Sequence, residues 1–367
     1  AKKIIPPSIL EFDIGEWMIA KGLAQPFGPK ELANFTKQLS IMINAGVPII
    51  QSLEILYKSE KHPVLKNTVK SIAREVGEGK TIAEALEKQD GFSKLYCNLV
   101  KAGEAGGILD AILDKLTEHM EKQQKTKAQI KSAMSYPVIV TCVGIGVIWA
   151  MMVFVVPQFV SMLTDTGQEI PGITQFVIDA SDFLGKYSMN TIGGVIVFAF
   201  FIKSWGRTDT GKKALDHFFM KMPLFGGIVI KGNLASFART LSTMLTSGVS
   251  LIDSLDICID TIDSAVIADD LKVVRKKVTQ GKTLTEPLMK ISYFPDMVAQ
   301  MIKVGEQTGN IDTMLIKVAD VFEDEVGTLV DGMTKMIEPL IIVVLGGIIA
   351  TILVAMYLPM FMSAGGA

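Results

Sequence analysis

Side chains that usually perform catalysis or hold metals are scarce in this chain. Its 367 residues include 3 histidines, scattered without an HExxH or similar pair, and 3 cysteines. Because Cys97, Cys142 and Cys258 are far apart and odd in number, we interpret them as reduced packing residues rather than as a disulfide or a metal site. We predict no catalytic site, no cofactor and no metal.

An excess of either charge is also lacking. Against 38 acidic residues stand 36 lysines and arginines, and no basic patch with interleaved aromatic residues occurs, so we predict no nucleic-acid partner. The mean hydropathy of +0.39 is too apolar for an ordinary soluble protein. It fits a chain that is part soluble and part membrane-embedded.

What the chain does contain is an internal repeat. FTKQLSIMINAGV at Phe35 returns as FARTLSTMLTSGV at Phe237, and this offset of 202 residues holds without a gap for about a hundred residues. Apolar residues recur every three or four positions within each copy, which indicates helices. Each copy then continues into a long apolar stretch. The sequence therefore predicts an all-α protein with two homologous cytoplasmic helical-bundle domains, each followed by a transmembrane helix.

Three stretches are long enough to cross a bilayer. Residues 138–156 and 340–361 are uncharged and reach the roughly 30 Å required. A third stretch, 187–205, has an apolar centre but polar ends. It is favoured because both repeats should lie on one side of the membrane, which requires an even number of crossings between them. We therefore expect three transmembrane helices in total.

Lysine and arginine placement predicts the orientation. Basic residues flank the first two spans at 122–131 and 203–213, whereas the segment between these spans carries four acidic residues and one lysine. The positive-inside rule puts both repeats in the cytoplasm and the C-terminus in the periplasm. The predicted segments are an N-terminal segment (1–34), repeat 1 (35–137), the first span (138–156), a periplasmic loop (157–186), the second span (187–205), repeat 2 (206–338), the third span (339–362) and a short periplasmic tail (363–367).

Both copies contain a GKT motif followed by an acidic residue. It is not a phosphate-binding loop, because the glycine required five positions earlier is Arg74 in one copy and Lys276 in the other. We predict that the glycine ends one helix and that a threonine–glutamate capping box opens the next. The residues concerned are Gly79, Thr81 and Glu84 in copy one and Gly281, Thr283 and Glu286 in copy two.

A second shared motif, KAGEAGG at Lys101 and KVGEQTG at Lys303, combines glycines with a glutamate. The glycines can break a helix or let two helices approach closely. The glutamates lack a nearby base, nucleophile or metal ligand. We expect each carboxylate to bind backbone N–H groups at the start of the following helix, with a partner contact as the alternative. The residues are Gly103, Glu104 and Gly107 in copy one and Gly305, Glu306 and Gly309 in copy two.

Four more repeated residues are candidates for structural or partner-contact roles. Gly46 and Gly248 are expected to end helices. Pro137 and Pro339 stand immediately before the spans. After the glutamate motif, acidic residues at 110, 114, 118 and 121 share one helix face. We interpret that face as solvated, with a divalent cation between subunits or a basic partner as the alternatives.

The spans favour association over conduction or catalysis. A transporter or channel usually requires a charged residue or histidine near the centre of a span, and none of these spans holds one. None carries the paired aspartates or the metal motif of an intramembrane peptidase either. Gly146 with Ala150, and Gly346 with Ala350, are small-residue pairs that let helices pack closely, unless they face lipid.

Together, the two FxxxLxxMxxxGV repeats, the GKT and GE motifs and the prolines before the spans resemble the PilC/GspF family of inner-membrane platform proteins. This family serves type IV pilus machines and type II secretion systems. The resemblance runs from about Ile4 onward, and MPLFG at Met222, VGEQTG at Val304 and VAMYLP at Val354 are closer to the pilus branch. Family members usually carry a further N-terminal segment, so residues 1–34 are interpreted as a truncated or processed start.

The resemblance implies a non-enzymatic, multi-pass protein of the bacterial inner membrane. Such a protein forms a homo-oligomer and engages hexameric assembly ATPases, with retraction ATPases as an open alternative. It couples their movements to the insertion or removal of pilin subunits, and hence to twitching motility. Other inner-membrane alignment proteins and the lipid bilayer are further expected partners. We hypothesise that repeat 1 contacts the ATPase and repeat 2 relays to the pilin. The type II secretion platform protein is the alternative.

Overall fold

The computed structural model describes residues 26–166, 170–206, 208–223 and 225–364, and most of them are helical. No strand occurs among these residues, and the predicted all-α fold class is confirmed. Residues 1–25, most of the predicted N-terminal segment, lie outside the described ranges. The first repeat contains α1 (Pro29–Asn44), α2 (Ile49–Ser59), α3 (Pro63–Gly77), α4 (Ile82–Glu87), α5 (Lys94–Gly106) and α6 (Leu109–Ala150).

The chain continues through a π-helical segment, Met151–Val155, which joins α6 to α7. The next helices are α7 (Val156–Thr166), α8 (Gly172–Trp205) and α9 (Asp209–Lys221). The second repeat contains α10 (Phe225–Thr246), α11 (Leu251–Thr261), α12 (Ala265–Thr279), α13 (Thr285–Leu288), α14 (Asp296–Thr308) and α15 (Ile311–Ala364).

The two repeats form helices with matching bounds. The pairs α2 and α11, α3 and α12, and α5 and α14 each begin and end 202 residues apart. Between these helices the repeated glycines hold positive φ angles, 78° at both Gly46 and Gly248, 95° at Gly79 and 87° at Gly281. A side chain would strain that backbone, so glycine is the residue that lets each helix end at these points.

The chain divides into two compact units. The first unit combines Ala1–Lys127 with Val229–Asp324, and the second combines Ala128–Ile228 with Glu325–Ala367. The first unit therefore holds the short helices of both repeats, and α6, α10 and α15 each have residues in both units. Its first-repeat core includes Leu65, Ile72 and Leu99, all of which are buried.

A polar network around the buried Arg239 joins α6, α10 and α15 within the first unit. The Arg239 guanidinium donates to Glu323 at 3.0 and 2.9 Å and to Asp320 at 2.5 Å. Lys122 donates to the same Asp320 oxygen at 3.0 Å, which links the two repeats. His119 is 3% exposed, and its Nδ1 has no hydrogen-bond partner among the described residues.

The second unit holds the apolar parts of the long helices. Leu109–Met162 and Ile311–Pro359 are each long and apolar enough to cross a membrane. The predicted third span, 187–205, is the second half of α8, where several side chains lie outside the described part, so its crossing stays a prediction. Tyr187 has non-helical angles (φ −114°, ψ 17°) and kinks α8 where that span was expected to begin. Most residues of the predicted loop, 157–186, are helical in α7 and α8.

Stability of the first unit should depend on His119, which precedes the uncharged stretch 138–156. Burial, with a smaller contribution from the Arg239 charge, lowers the pKa of His119 from 6.5 to about 4. The folded state therefore favours the neutral imidazole. Its contribution to the free energy of unfolding is fully present above pH 6.5 and is lost as the pH falls towards 4. We expect a loss of about 2 kcal/mol between pH 7 and pH 5.

The measurement is thermal unfolding of the detergent-purified chain at pH 7 and pH 5. His119→Gln, which cannot be protonated, should lose less stability than the wild type over this interval. The matched control is His217→Gln, at an exposed position, which should keep the wild-type pH dependence. Equal pH dependence in all three proteins would contradict the prediction.

Candidate functional sites in the repeats and the spans

In the first repeat, Glu104 binds the start of a neighbouring helix. Its Oε1 accepts a hydrogen bond from the backbone N–H of Ile82 at 2.9 Å, and its Oε2 accepts one from Ala83 at 3.2 Å. These residues begin α4, and their N–H groups have no partner inside that helix. The carboxylate also lies at the positive end of the helix dipole.

The same contact occurs in the second repeat. The Glu306 carboxylate accepts from the backbone N–H groups of Leu284 and Thr285 and from the Thr285 hydroxyl. In both copies the glutamate therefore binds the helix start that precedes it in the chain. The expectation of the following helix was wrong, because α5 packs against α4 and this brings Glu104 to the N-terminus of α4.

The glycines around these glutamates have separate roles. Gly107 and Gly309 end α5 and α14 in the left-handed conformation, at φ 67° and 75°. Gly103 and Gly305 instead permit close approach, since a Cβ at Gly103 would lie 2.8 Å from the Ile112 side chain. The sequence left helix breaking and close packing as alternatives. In the structure, one glycine of each motif ends the helix and another permits the close approach.

The capping box forms fully in one copy. The Thr81 hydroxyl accepts from the Glu84 N–H at 3.2 Å, and the Glu84 carboxylate accepts from the Thr81 N–H at 3.3 Å. In copy two the Thr283 hydroxyl accepts from the Glu286 N–H at 3.4 Å. The Glu286 carboxylate, however, accepts from Lys282 at 2.6 Å.

The difference between the two capping boxes follows from the residue at one position in the preceding helix. In copy one Glu75 accepts from Lys80 at 2.8 Å and from Lys88 at 3.0 Å, and these hydrogen bonds lower the pKa of the Glu75 carboxyl. The matching position in copy two is Lys277. There the lysine of the GKT motif binds Glu286 instead, and its hydrogen bond lowers the pKa of that carboxyl.

The acidic face of α6 is partly engaged by the protein itself. Asp114 accepts from Ser40 and, at 3.0 Å, from Asn44, while Glu121 lies 2.7 Å from Lys37. Among the described residues, no group of three His, Cys, Asp or Glu side chains is placed to hold a metal ion. Two carboxylates of the predicted solvated face therefore fasten α1 to α6.

In the second unit, Thr174 of α8 completes the hydrogen bonding of α15. Pro359 has no N–H, so the carbonyl four residues earlier, at Ala355, loses its helical partner. The Thr174 hydroxyl donates to that carbonyl at 2.6 Å, and both residues are buried. A carbonyl left unpaired in apolar surroundings would otherwise cost free energy.

Pro157 creates the corresponding need on the other long helix. The π-helical segment has five-residue spacing, with the Val156 N–H bound to the Met151 carbonyl. In that register the missing N–H of Pro157 leaves the Met152 carbonyl unpaired. The Ser181 hydroxyl of α8 donates to it at 2.5 Å. Pro157 and Pro359 are 202 residues apart and so are repeat-related, although the unpaired carbonyls are one residue out of register and both donors lie on α8.

These contacts lie in an apolar cluster shared by three helices. Its buried members are Met152, Val156, Val177, Ile352, Ala355 and Met356. Further along the spans, a Cβ at Gly144 would lie 2.2 Å from the Leu345 side chain, whereas space is open within 4 Å of Gly146 and Gly346. The close approach of the long helices therefore uses Gly144, and the predicted pairs at Gly146 and Gly346 do not provide it.

Sequence reasoning missed Thr174 and Ser181, although a signal was present. The prediction considered only the prolines that precede the spans, Pro137 and Pro339. These two prolines lie inside α6 and α15, and next to them Tyr136 Oη is 3.5 Å from Glu338 Oε1. Prolines repeated near the far ends of the same helices predict unpaired carbonyls, and hydroxyl groups seven residues apart on α8 share a face that can satisfy them.

Two helical repeats, each fastened by a glutamate and each continued by an apolar helix, define a class of membrane-associated helical-repeat proteins. Comparison with known families agrees with this class. Residues 35–157 and 237–359 each match the family of the type II secretion system (T2SS) protein F. The chain belongs to this family, and both matched segments include a repeat and its following span.

Individual relatives lie on both branches of the family. The chain is 41% identical over 337 residues to the type IV pilus assembly protein PilC of Myxococcus xanthus, covering 92% of this chain and 81% of that protein. It is 38% identical to the PilC of Pseudomonas aeruginosa, covering 93% and 91% of the two chains. It is 27% identical to the type II secretion system protein F of Vibrio cholerae, covering 98% and 89%.

Removal of the Glu104 carboxylate should destabilise the protein more than removal of the capping-box carboxylate. Glu104→Ala leaves two N–H groups at the start of α4 without acceptors, and we expect a loss of about 3 kcal/mol. The matched control, Glu84→Ala, removes one exposed capping contact and should cost about 1 kcal/mol. Thermal unfolding followed by circular dichroism measures both, and equal effects would contradict the assignment.

A double-mutant cycle tests the hydroxyl on α8. Thr174→Val should destabilise the wild type by about 1 kcal/mol because the Ala355 carbonyl loses its donor. In a Pro359→Ala background the restored N–H can bind that carbonyl, so Thr174→Val should have a much smaller effect. Thr351→Val is the control, since Thr351 donates to Gly347 of its own helix. Additive effects in the cycle would exclude the proposed compensation.

Proposed function

We propose that this protein is the inner-membrane platform of a type IV pilus machine. In this role it couples cytoplasmic ATPases to the insertion or removal of pilin subunits at the base of the fibre. The observation that carries the proposal is the family match over both repeats, combined with higher identity to relatives named for pilus assembly, 41% and 38%, than to a relative named for secretion, 27%.

The architecture supports a role as scaffold. In both repeats the conspicuous glutamate is used to hold a helix start by hydrogen bonds to backbone N–H groups. The family's place in secretion and pilus machines is structural, so the energy for fibre growth would come from a partner. The proposed partners are hexameric assembly and retraction ATPases, pilin subunits, other inner-membrane alignment proteins and further copies of this chain.

Continuous helices offer a route for coupling. The helices α6, α10 and α15 each contain residues of both units, so movement at a repeat can act directly on an apolar helix. We propose that the ATPase binds repeat 1 and that repeat 2 relays to the pilin. The proposed topology has cytoplasmic repeats, three crossings and a periplasmic C-terminus, and it follows from the positive-inside rule.

The alternative function is that of a type II secretion platform, which the family match also supports. The fold and the proposed mechanism would be the same, and the substrate would differ. Gene deletion with complementation separates the two. We expect the deletion strain to lose surface pili and twitching while exoprotein secretion stays normal, and the wild-type gene to restore both pili and twitching.

Lost secretion with normal pili would move the protein to the secretion branch. Normal pili together with normal secretion would contradict both functions. Piliation of a strain with Glu104→Ala is then compared with that of a strain with Glu84→Ala at matched membrane abundance. Equal abundance of the two variants separates a loss of function from a loss of folded protein. A strain with Glu104 reversed to lysine that retained ATPase binding and piliation would exclude this motif as a partner contact.

A further inference from the structure

The two repeats contact each other inside the first unit through unlike surfaces. Helix α5 of repeat 1 packs against α11 of repeat 2, and Lys94 Nζ lies 2.7 Å from Asp260 Oδ2. Ile257 of α11 is buried in a cluster that also contains Leu95 of α5. Because α11 is the counterpart of α2, this contact joins an α5-type surface to an α2-type surface.

A contact between unlike surfaces leaves one of each type unused. In repeat 1 the α5 surface is engaged in this contact and the α2 surface is not. In repeat 2 the α11 surface is engaged and the surface of α14, the counterpart of α5, is not. Such heterologous contacts can be continued from one molecule to the next, as rings or as open chains.

Exposure distinguishes the used surfaces from the unused ones. Ile257 in the contact is 6% exposed, whereas its counterpart Ile55 on α2 is 42% exposed. Leu95, which follows Lys94 on α5 and lies in the same cluster as Ile257, is 5% exposed, and its counterpart Met297 on α14 is 56% exposed. The unused helices thus present to solvent apolar positions whose counterparts are buried within the chain.

Charge complementarity identifies what would cover these surfaces. The counterpart of Lys94 is Asp296 on α14, and the counterpart of Asp260 is Lys58 on α2, so the unused pair has opposite charges with the signs exchanged. Docking of α14 on α2 would face Asp296 with Lys58. The competing pairings, Lys94 with Lys58 or Asp296 with Asp260, would bring like charges together, and this disfavours them.

We propose that α14 of one copy docks on α2 of the next copy, in the arrangement that α5 and α11 adopt within the chain. Asp296 then pairs with Lys58 of the neighbouring copy, and Met297 packs against its Ile55. The proposal rests on the homo-oligomer of the proposed function and names the surfaces through which its copies contact each other. Each copy uses both surfaces, so the assembly runs head to tail.

Carbodiimide coupling, which joins an amine to a carboxylate in direct contact, tests the proposal in native membranes. Two differently tagged full-length chains are co-expressed, one with Lys58→Arg and the other with Asp296→Asn. Neither chain alone can form the Lys58–Asp296 link, because arginine and asparagine do not couple. The link can form only between the intact Lys58 of one chain and the intact Asp296 of the other.

We expect a cross-linked dimer that carries both tags and yields a Lys58–Asp296 peptide by mass spectrometry. The intrachain Lys94–Asp260 link in the same sample is the matched control for reactivity. The proposal is overturned if that control link forms without Lys58–Asp296. It is also overturned if Lys58 couples instead to carboxylates of another protein, which would assign α2 to a different partner.

Charge exchange provides a second arm. In a strain that expresses a single chain type, Lys58→Glu or Asp296→Lys alone should abolish the cross-link, while the double variant should restore it with the amine and carboxylate exchanged. A double variant that fails to restore the link, although it reaches the membrane and retains the Lys94–Asp260 link, would also overturn the proposal. Pili and secretion are scored separately, so failure of this contact is distinguishable from failure of the proposed function.

Discussion

Backbone groups that a helix cannot pair by itself determine where the helices of this protein meet. Each repeat leaves N–H groups at the start of a short helix, and a glutamate from a neighbouring helix accepts them. Each long apolar helix leaves a carbonyl unpaired before a proline, and a hydroxyl of α8 donates to it. Unpaired groups of this kind are costly away from water, so these contacts specify the packing in both units.

The fold class could be predicted from the sequence because its main signals are local. Helical periodicity, glycine at helix ends and the gap-free offset depend on residues close together in the chain, and the two repeats follow them with matched helix bounds. The placement of the acidic segment between the first two spans stays a prediction, and most of this segment is helical. Charge predicts the side of a membrane but carries no information about secondary structure.

The sites were harder to predict because their partners are distant in the sequence. A carboxylate at Glu104 was expected to bind a helix start, but the choice of α4 over α6 depends on how α5 packs. The polar network around Arg239 combines residues that are more than eighty positions apart. The hydroxyls of Thr174 and Ser181 become meaningful only when the carbonyls opposite them are known to lack partners.

The spacing of those two hydroxyls has a consequence for how such chains can change during evolution. Seven residues along α8 correspond to about two helical turns, or roughly 10 Å, so the interval from Thr174 to Ser181 matches the spacing of the two carbonyls that the prolines leave unpaired. Insertion of one residue inside that interval would rotate one hydroxyl by about 100° away from its carbonyl. After the kink at Tyr187 the same insertion would leave both contacts in place. Length variation among homologous chains should therefore be rare between Thr174 and Ser181 and should accumulate beyond Tyr187.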